Sequence, residues 1–270
     1  MTSMAVRSGP SAASTEFSRQ LRGWRTRRRL SQLDLAIAAE TSQRYLSFLE
    51  QGRSHPGRTM VVRLAEVLDL SLRERNGLLL AAGYAPIFPE SSLHAPELEA
   101  VRHALDTILR GHLPYPAVVT RPFGVLVAAN AGFGLLTEDC APRLLEPPIN
   151  VLRLALHPEG LGRRVLNMPE WGRHVTDSLR NRASRSPDPA LDELIAELEG
   201  YLPPVDPGPG HLGFAVPLRL RSAAGELRLI TTVTSFATAT DITLSELHLE
   251  AFLPADQATS EYLRDRFAAG

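Results

Sequence analysis

The chain has a single cysteine, no lysine and no long apolar run, and these absences exclude several classes of protein. Cys140 is the only cysteine among the 270 residues, which excludes an intrachain disulfide and a cysteine-rich metal site. No apolar run approaches the roughly 20 residues that a membrane-spanning helix needs. The first residues are polar and lack the apolar centre of a signal peptide. We therefore expect a soluble protein of the cytoplasm.

The sequence also lacks the motifs that carry common catalytic chemistry. It contains no Gly-x-Ser-x-Gly nucleophile turn, no phosphate-binding loop and no His-Glu-x-x-His metal motif. Four of the histidines are scattered without the spacing of metal ligands, namely His157, His174, His211 and His248. We therefore expect no enzymatic activity, no metal and no cofactor.

Arginine supplies all 29 basic side chains, and its distribution divides the chain into two parts. Residues 1–86 contain 13 arginines and 7 acidic residues, a formal charge of +6. The remainder contains 16 arginines and 23 acidic residues, a formal charge of −7. A basic head on an acidic body is typical of a DNA-binding domain joined to a domain with another function.

The stretch from Leu30 to Pro56 predicts two short helices joined by a tight turn and followed by a basic loop. Ser31 precedes the first helix as an N-cap. Thr41 or Ser42 caps the second helix, and Gly52 ends it, as glycine does where a helix closes in the left-handed conformation. The apolar-periodic run that follows Ser31 consists of Leu33, Leu35, Ala36 and Ala39.

The second of these helices has one apolar face and one polar face. Tyr45, Leu46 and Leu49 share the face that we expect to be buried. The outward positions are Ser42, Gln43, Arg44, Ser47 and Phe48. Arginine pairs with guanine, and glutamine with adenine, through two hydrogen bonds in the major groove. The pattern therefore favours a DNA-recognition helix over a helical bundle without a ligand, which stays the alternative.

Three segments of this region resemble the helix-turn-helix of phage-repressor-type regulators, the XRE family: LRGWRTRRRLSQLDLA, TSQRYLSFLEQGRSHPGR and LAEVLDL. The resemblance implies that Gln32 lies at the DNA backbone, and Arg53 and Arg58 are further phosphate candidates. It also implies that Arg25 pairs with Glu50, the alternative being a solvated basic face. The predicted DNA-binding residues are Gln32, Ser42, Gln43, Arg44, Ser47, Arg53 and Arg58.

The sequence predicts an α+β protein with two domains. Residues 1–16 form a disordered tail, and residues 17–86 form an all-α, five-helix domain of the lambda-repressor type with the helix-turn-helix. Residues 87–96 form a proline-rich linker. Residues 97–270 form the second domain, which contains two strands, a helical middle and three antiparallel strands. The last three strands are predicted over 213–221, 226–236 and 243–253, and this order is that of a PAS-like antiparallel sheet with helices over one face.

Four segments of the second domain resemble the ligand-binding domain of MmyB-like transcription regulators: PAVVTRPFGVLVAAN, NVLRLALHPEG, VLNMPEWGRHVTDSLR and FATATDITLSELHLEAFLPAD. The resemblance implies a small-molecule sensor, with a fatty-acid-like ligand as one proposal. Ala129 stands where many family members have tryptophan. Candidate ligand-binding residues are Tyr115, Asn130, Leu152, Arg153, Leu156, Trp171, Val175 and Phe214, and His174 is a further candidate anchor. The alternatives are that the apolar residues are simply core and that Asn130 caps a helix.

Together these patterns predict a DNA-binding transcription regulator. We expect a homodimer on an inverted-repeat operator, because the symmetry of half-sites mirrors the symmetry of the protein. The second domain is expected to mediate dimerisation and to sense a small apolar ligand. The alternative is a DNA-binding regulator whose second domain is a protein-interaction or dimerisation module without a small ligand.

Overall fold

The computed structural model of the chain describes residues 12–204, 216–236 and 239–268. The chain forms two compact units. The first unit ends at Glu90 and also includes Thr240–Ile242, and the second unit begins at Ser91. Within the described residues, no helix combines the length and the hydropathy that crossing a membrane requires.

The first unit contains five α-helices. They are α1 (Ala12–Arg27), α2 (Gln32–Ala38), α3 (Gln43–Glu50), α4 (Arg58–Val67) and α5 (Leu72–Ala81). Apolar side chains from all five helices form one buried core. The predicted five-helix, helix-turn-helix fold of the N-terminal part is therefore confirmed.

Capping residues define where these helices begin. The Ser31 hydroxyl accepts a hydrogen bond from the Asp34 amide, and the Asp34 carboxylate accepts one from the Ser31 amide. Ser71 and Glu74 form the same reciprocal arrangement at the start of α5. These capping boxes satisfy backbone N–H groups that a helix start would otherwise leave unpaired. Ser42, and not Thr41, caps α3.

One prediction about the first unit is wrong. The helix α1 begins at Ala12, so residues 12–16 are helical and do not belong to a disordered tail. Alanine favours a helix, and Glu16 accepts hydrogen bonds from Arg19 and Gln20 within that helix.

Residues 87–90 are held by the first unit, although the sequence predicts that they belong to a linker. The buried side chain of Asn76 accepts hydrogen bonds from the amides of Ile87 and Phe88. Its amide nitrogen donates to the carbonyl of Phe88. One buried side chain therefore fixes the backbone that follows α5.

The second unit is built on a five-stranded antiparallel sheet with the order β2-β1-β5-β4-β3. The strands are β1 (Ala117–Arg121), β2 (Val125–Ala129), β3 (Leu218–Ser222), β4 (Gly225–Ser235) and β5 (His248–Pro254). The helices are α6 (Glu99–Gly111), α7 (Gly134–Thr137), α8 (Val151–Leu156), α9 (Met168–Arg185), α10 (Pro189–Glu199), α11 (Ile242–Ser245) and α12 (Gln257–Ala268). The predicted combination of an antiparallel sheet with covering helices is confirmed.

Helices cover both faces of this sheet, whereas the sequence predicts helices over one face. Leu105 and Leu109 of α6 pack against Ala117 and Val119 of β1 on one face. On the other face, side chains from α7 to α10 and from α12 form a second core with Leu218, Leu220, Leu227, Leu229 and Phe252. We call this second face the inner face.

The strand predicted over 243–253 is shorter than expected. Ile242–Ser245 forms one helical turn, and the strand begins at His248. The amide of Ile242 donates to the carbonyl of Pro89 and not to a neighbouring strand, so the segment leaves the sheet there. The strand predicted from residue 213 is described from Leu218 onward, because residues 205–215 lie outside the described residues.

Candidate nucleic-acid interface and ligand site

The helix α3 presents a polar face to solvent, as the sequence predicts. Ser42, Gln43 and Arg44 are exposed, while Leu46 and Leu49 are fully buried. The Ser42 hydroxyl accepts from the Tyr45 amide, so the first turn of the helix is closed. Two side chains that could pair with base edges therefore stand on a helix whose opposite side is locked in the core.

A buried ion pair joins α3 to α1. Arg25 donates to Glu50 through Nε at 2.6 Å and through Nη2 at 3.0 Å. Only 14% of the Arg25 side chain and 3% of the Glu50 side chain are exposed. The hydrogen bond to Glu50 raises the pKa of Arg25 above its usual value. The predicted pairing is therefore present, and Arg25 is not part of a solvated basic face.

The same carboxylate organises the start of α2. Gln32 donates from Nε2 to Glu50 Oε2 at 2.7 Å, and Arg25 also donates from Nη1 to the carbonyl of Leu30 at 2.8 Å. Glu50 thus connects three helices of the motif. One amide hydrogen of Gln32 is already used in this contact, so the side chain is tied to the protein and only partly available to a phosphate.

Two side-chain pairs run along the outward face of α3. The Arg44 guanidinium lies 5.4 Å from the centre of the Phe48 ring, a distance at which a cation and an aromatic ring attract each other. Gln51 donates from Nε2 to the Ser47 hydroxyl at 3.0 Å. Gln51 is exposed and was missed from the sequence, although it lies one helical turn beyond Ser47 and therefore on the same face.

Arginines surround this face. Arg53 and Arg58 are exposed, one in the loop after Gly52 and the other as the first residue of α4. Gly52 has a φ of +67°, which permits the sharp turn out of α3. A groove of about 700 Å³ separates α1 from the end of α3. Its basic lining residues are Arg19, Arg22 and Arg27.

Five of the candidate ligand-binding residues lie at the inner face of the second unit, and Tyr115 is one of them. Leu156 and Trp171 are buried, and Leu152 and Val175 are partly buried against the same core. These positions are consistent with a ligand lining and equally with a plain core. Phe214, a further candidate, lies outside the described residues.

Tyr115 is tied to the C-terminal helix α12. Its hydroxyl is 3.1 Å from the hydroxyl of Ser260. This hydrogen bond is the main reason why the pKa of Tyr115 is lowered, and Arg264 acts in the same direction.

Asn130 is buried and its side chain is fully used inside the fold. Its Oδ1 accepts from the Ala117 amide at 3.0 Å. Its Nδ2 donates to the carbonyls of Leu109 and Tyr115. The Asn130 side chain makes no helix-capping hydrogen bond, and its role as a ligand anchor stays a prediction. Asn130 ties α6 to the start of β1.

Arg153 and His174 lie on the surface and not at the inner face. Arg153 forms an ion pair with Glu197, which also accepts a hydrogen bond from the Tyr201 hydroxyl at 2.6 Å. Burial, followed by this hydrogen bond, raises the pKa of Tyr201 to about 12. The side chain of Arg153 is therefore held on the surface by a partner 44 positions away, and its role as a ligand anchor stays a prediction.

Four polar side chains that the sequence did not identify lie together on the inner face. We call Thr120, Thr231, His248 and Glu250 the polar row. The Thr120 hydroxyl donates to Glu250 Oε1 at 3.3 Å. Burial raises the pKa of Glu250, while burial and then Arg182 lower the pKa of His248. Polar and apolar residues alternate regularly along β5, which is typical of a strand with one face exposed to solvent. The sequence therefore did not indicate that the polar residues of this strand face the core. Among the described residues, no group of histidine, cysteine or acidic side chains could hold a metal ion.

Comparison with known families gives two matches. Residues 101–265 match the family described as the MmyB-like transcription regulator ligand binding domain. Residues 16–78 match a family described as a helix-turn-helix domain. No curated protein matches the chain.

Several solved structures are similar to the N-terminal part. The restriction-modification controller protein C.AhdI from Aeromonas hydrophila is 31% identical, with 24% of this chain and 98% of that chain covered and a TM-score of 0.23. The clp gene regulator ClgR from C. glutamicum is 25% identical, with 27% and 91% covered and a TM-score of 0.24. TM-scores this low carry no structural argument.

Removing Arg25 should loosen the attachment of α3. In Arg25→Ala, Glu50 stays buried without its cation, and breaking such a pair costs about 3 kcal/mol. Hydrogen exchange of the α3 amides in the full chain should accelerate accordingly, because the helix opens more often. Arg19→Ala, which removes the exposed partner of Glu16, is the matched control and should leave these amides unchanged. Equal exchange in the Arg25 variant and the wild type would contradict the clamp.

Proposed function

The chain belongs to the family of MmyB-like transcription regulators through its ligand-binding domain, and we propose that it reads a specific DNA sequence with α3. The coarser function, a helix-turn-helix DNA-binding regulator, rests on both family matches. The observation that carries the finer proposal is the exposure of Gln43 and Arg44 on a helix whose other side is clamped by Glu50. We propose a binding protein and not an enzyme.

Base reading falls to the outward face of α3. Arg44 offers two parallel donors that match O6 and N7 of guanine, and Gln43 offers the donor and acceptor that match adenine. Phe48 beneath Arg44 limits the conformations of the guanidinium, so less side-chain entropy is lost on binding. Ser42, Ser47 and Gln51 flank these two side chains.

Phosphate contacts fall to the surrounding arginines and to the start of α2. Arg53 and Arg58 lie on either side of the loop after α3, and Gln32 begins α2, where backbone N–H groups attract an anion. Arg22 and Arg27 in the groove along α1 extend the basic surface. The formal charge of +6 over residues 1–86 supports binding that weakens steeply with salt.

The proposed assembly is a homodimer on an inverted repeat, with the dimer contact in the second unit. One α3 reads only a few base pairs, so two copies related by symmetry are needed for a specific site. A protein that binds chromosomal DNA in this way works in the cytoplasm.

Replacing Arg44 and Arg53 should separate base reading from phosphate binding. Arg44→Ala should lose about 1–3 kcal/mol of discrimination at one base position and relax the selected sequence there. Arg53→Ala should weaken all sequences alike and reduce the salt slope by about one. Selection from a random duplex library gives the first result, and titration over a range of salt concentrations gives the second.

Arg110→Ala is the control for both variants, because Arg110 is an exposed arginine of α6 paired with Asp106. It should leave both sequence preference and salt slope unchanged. If the Arg44 variant selects the same sequence as the wild type with equal stringency, another side chain reads the bases.

The second unit is proposed to be the sensor of a small ligand and the site of dimerisation. Its family match supports a ligand-binding role. The inner face adds physical support, because apolar side chains such as Leu156 and Trp171 adjoin polar groups there. Ligand sites in proteins commonly combine an apolar lining with a few polar groups.

Native mass spectrometry of the purified full chain distinguishes the sensor from a plain interaction module. We expect a dimer that carries a small molecule, and a rise in melting temperature when a ligand of the right chemistry is added, because a ligand that binds only the folded state stabilises it. A dimer that carries nothing and responds to no added compound would favour the interaction module.

A further inference from the structure

The polar row holds acceptor groups that have no partner within the part of the chain that the structure describes. The hydroxyl oxygen of Thr231 and Nδ1 of His248 are buried and have no hydrogen-bond partner among the described residues. Glu250 receives one hydrogen bond, from Thr120, and has no ion pair within the described residues. Buried polar atoms are nearly always paired, so two unpaired atoms beside a carboxyl group indicate a missing partner.

Strand register places these groups on one face. Across β1 and β5, Val118 pairs with Glu250 and Thr120 pairs with His248. Across β4 and β5, Thr231 pairs with Phe252, and the side chain of Phe252 belongs to the inner core. Directly opposite side chains share a face, and diagonal neighbours lie about 7–8 Å apart. A single small head group can therefore reach Glu250 together with Thr231, its diagonal neighbour, whereas His248 lies beyond Glu250 on the side away from Thr231.

The face is closed on one side and open on the other. Val118 is 1% exposed, whereas Val233, on the far side of Glu250 in the same row, is 65% exposed. The helix α9 covers the neighbouring core through Trp171, Val175 and Leu179. A ligand can therefore reach Glu250 past Val233 and extend over apolar surface toward Phe252.

The hydrogen-bonding capacity of the groups in the polar row indicates which class of ligand they can bind. A carboxylate, a neutral imidazole nitrogen and a hydroxyl oxygen can all accept hydrogen bonds, and a primary ammonium has three donors and no acceptor. Burial without a cation is unfavourable for the Glu250 carboxylate, and a bound ammonium would supply that cation. A ligand carboxylate beside Glu250 would instead meet a like charge. Arg182 is a cationic side chain that lowers the pKa of His248, and it is exposed to solvent.

We infer that the polar row binds the ammonium group of a small amphiphilic amine, with Glu250 as counter-ion and Thr231 as a further acceptor. The apolar part of the amine lies against Val233 and Phe252. This inference rests on the proposed sensor function and assigns a ligand class to it, in place of the fatty-acid-like ligand that the family resemblance implies.

Three probes with the same eight-carbon chain test the head group: octylamine, octan-1-ol and octanoate. Calorimetric titration into the full-length protein at pH 7 should give tight binding of octylamine, weaker binding of octan-1-ol and the weakest binding of octanoate. Glu250→Gln keeps the shape of the side chain and the partner of Thr120 but removes the charge. It should weaken octylamine roughly ten- to a hundredfold, because a hydrogen-bonded ion pair is lost, and should abolish the preference over octan-1-ol.

Thr231→Val keeps the test decisive if the Glu250 variant does not fold. It removes a buried hydroxyl that has no partner, so the free protein should melt at a higher temperature while octylamine binds more weakly. A purely structural threonine would not combine these two changes. Thr232→Val is the matched control on the opposite face, where the hydroxyl donates to the Ala251 carbonyl, and it should leave octylamine affinity unchanged.

The outcomes separate the ligand class from the sensor function. Octanoate that binds at least as well as octylamine, or octanoate binding that falls in Arg182→Ala while Glu250→Gln has no effect, would overturn the amine but leave a sensor. No binding of any probe, together with a dimer that carries no ligand in native mass spectrometry, would overturn both.

Discussion

The contact between Arg25 and Glu50 is the constraint on which the DNA-reading surface depends. A recognition helix of eight residues is too short to hold its own orientation. Its apolar side packs in the core through Leu46 and Leu49, which are fully buried. The buried ion pair, extended by Gln32, ties the end of α3 to α1 and to the start of α2. The side chains that face solvent at the other end of α3 are thereby held in a defined direction.

In the second unit the sheet is the rigid element, and its inner face carries both apolar and polar side chains. Most of that face is apolar and packs against helices, as the large core with Trp171 and Phe252 shows. The polar row lies on the same face as this core, next to the exposed Val233. Leaving buried acceptors without partners lowers stability, and we propose that a ligand beside Glu250 supplies the missing partner. By contrast, Arg153 and Glu197 are paired with each other on the surface, and their ion pair joins α8 to α10.

Local sequence predicted the features that local physics determines. Ser31 was identified as a cap because the cap and its partner lie within four residues, and the strands β1 and β2 follow from short apolar runs bounded by turns. The roles of Asn130, Arg153 and Glu250 depend on partners far away in sequence, such as Leu109, Glu197 and Thr120, and no local pattern reveals these partners.

The most direct measurement of the central claim is a structure of the full chain bound to a duplex selected from a random library. The account predicts that α3 lies in the major groove, with the Arg44 guanidinium about 3 Å from O6 and N7 of a guanine. It also predicts that the ion pair between Arg25 and Glu50 is intact in that complex. A complex in which another element occupies the major groove, or in which Arg44 contacts no base, would contradict it.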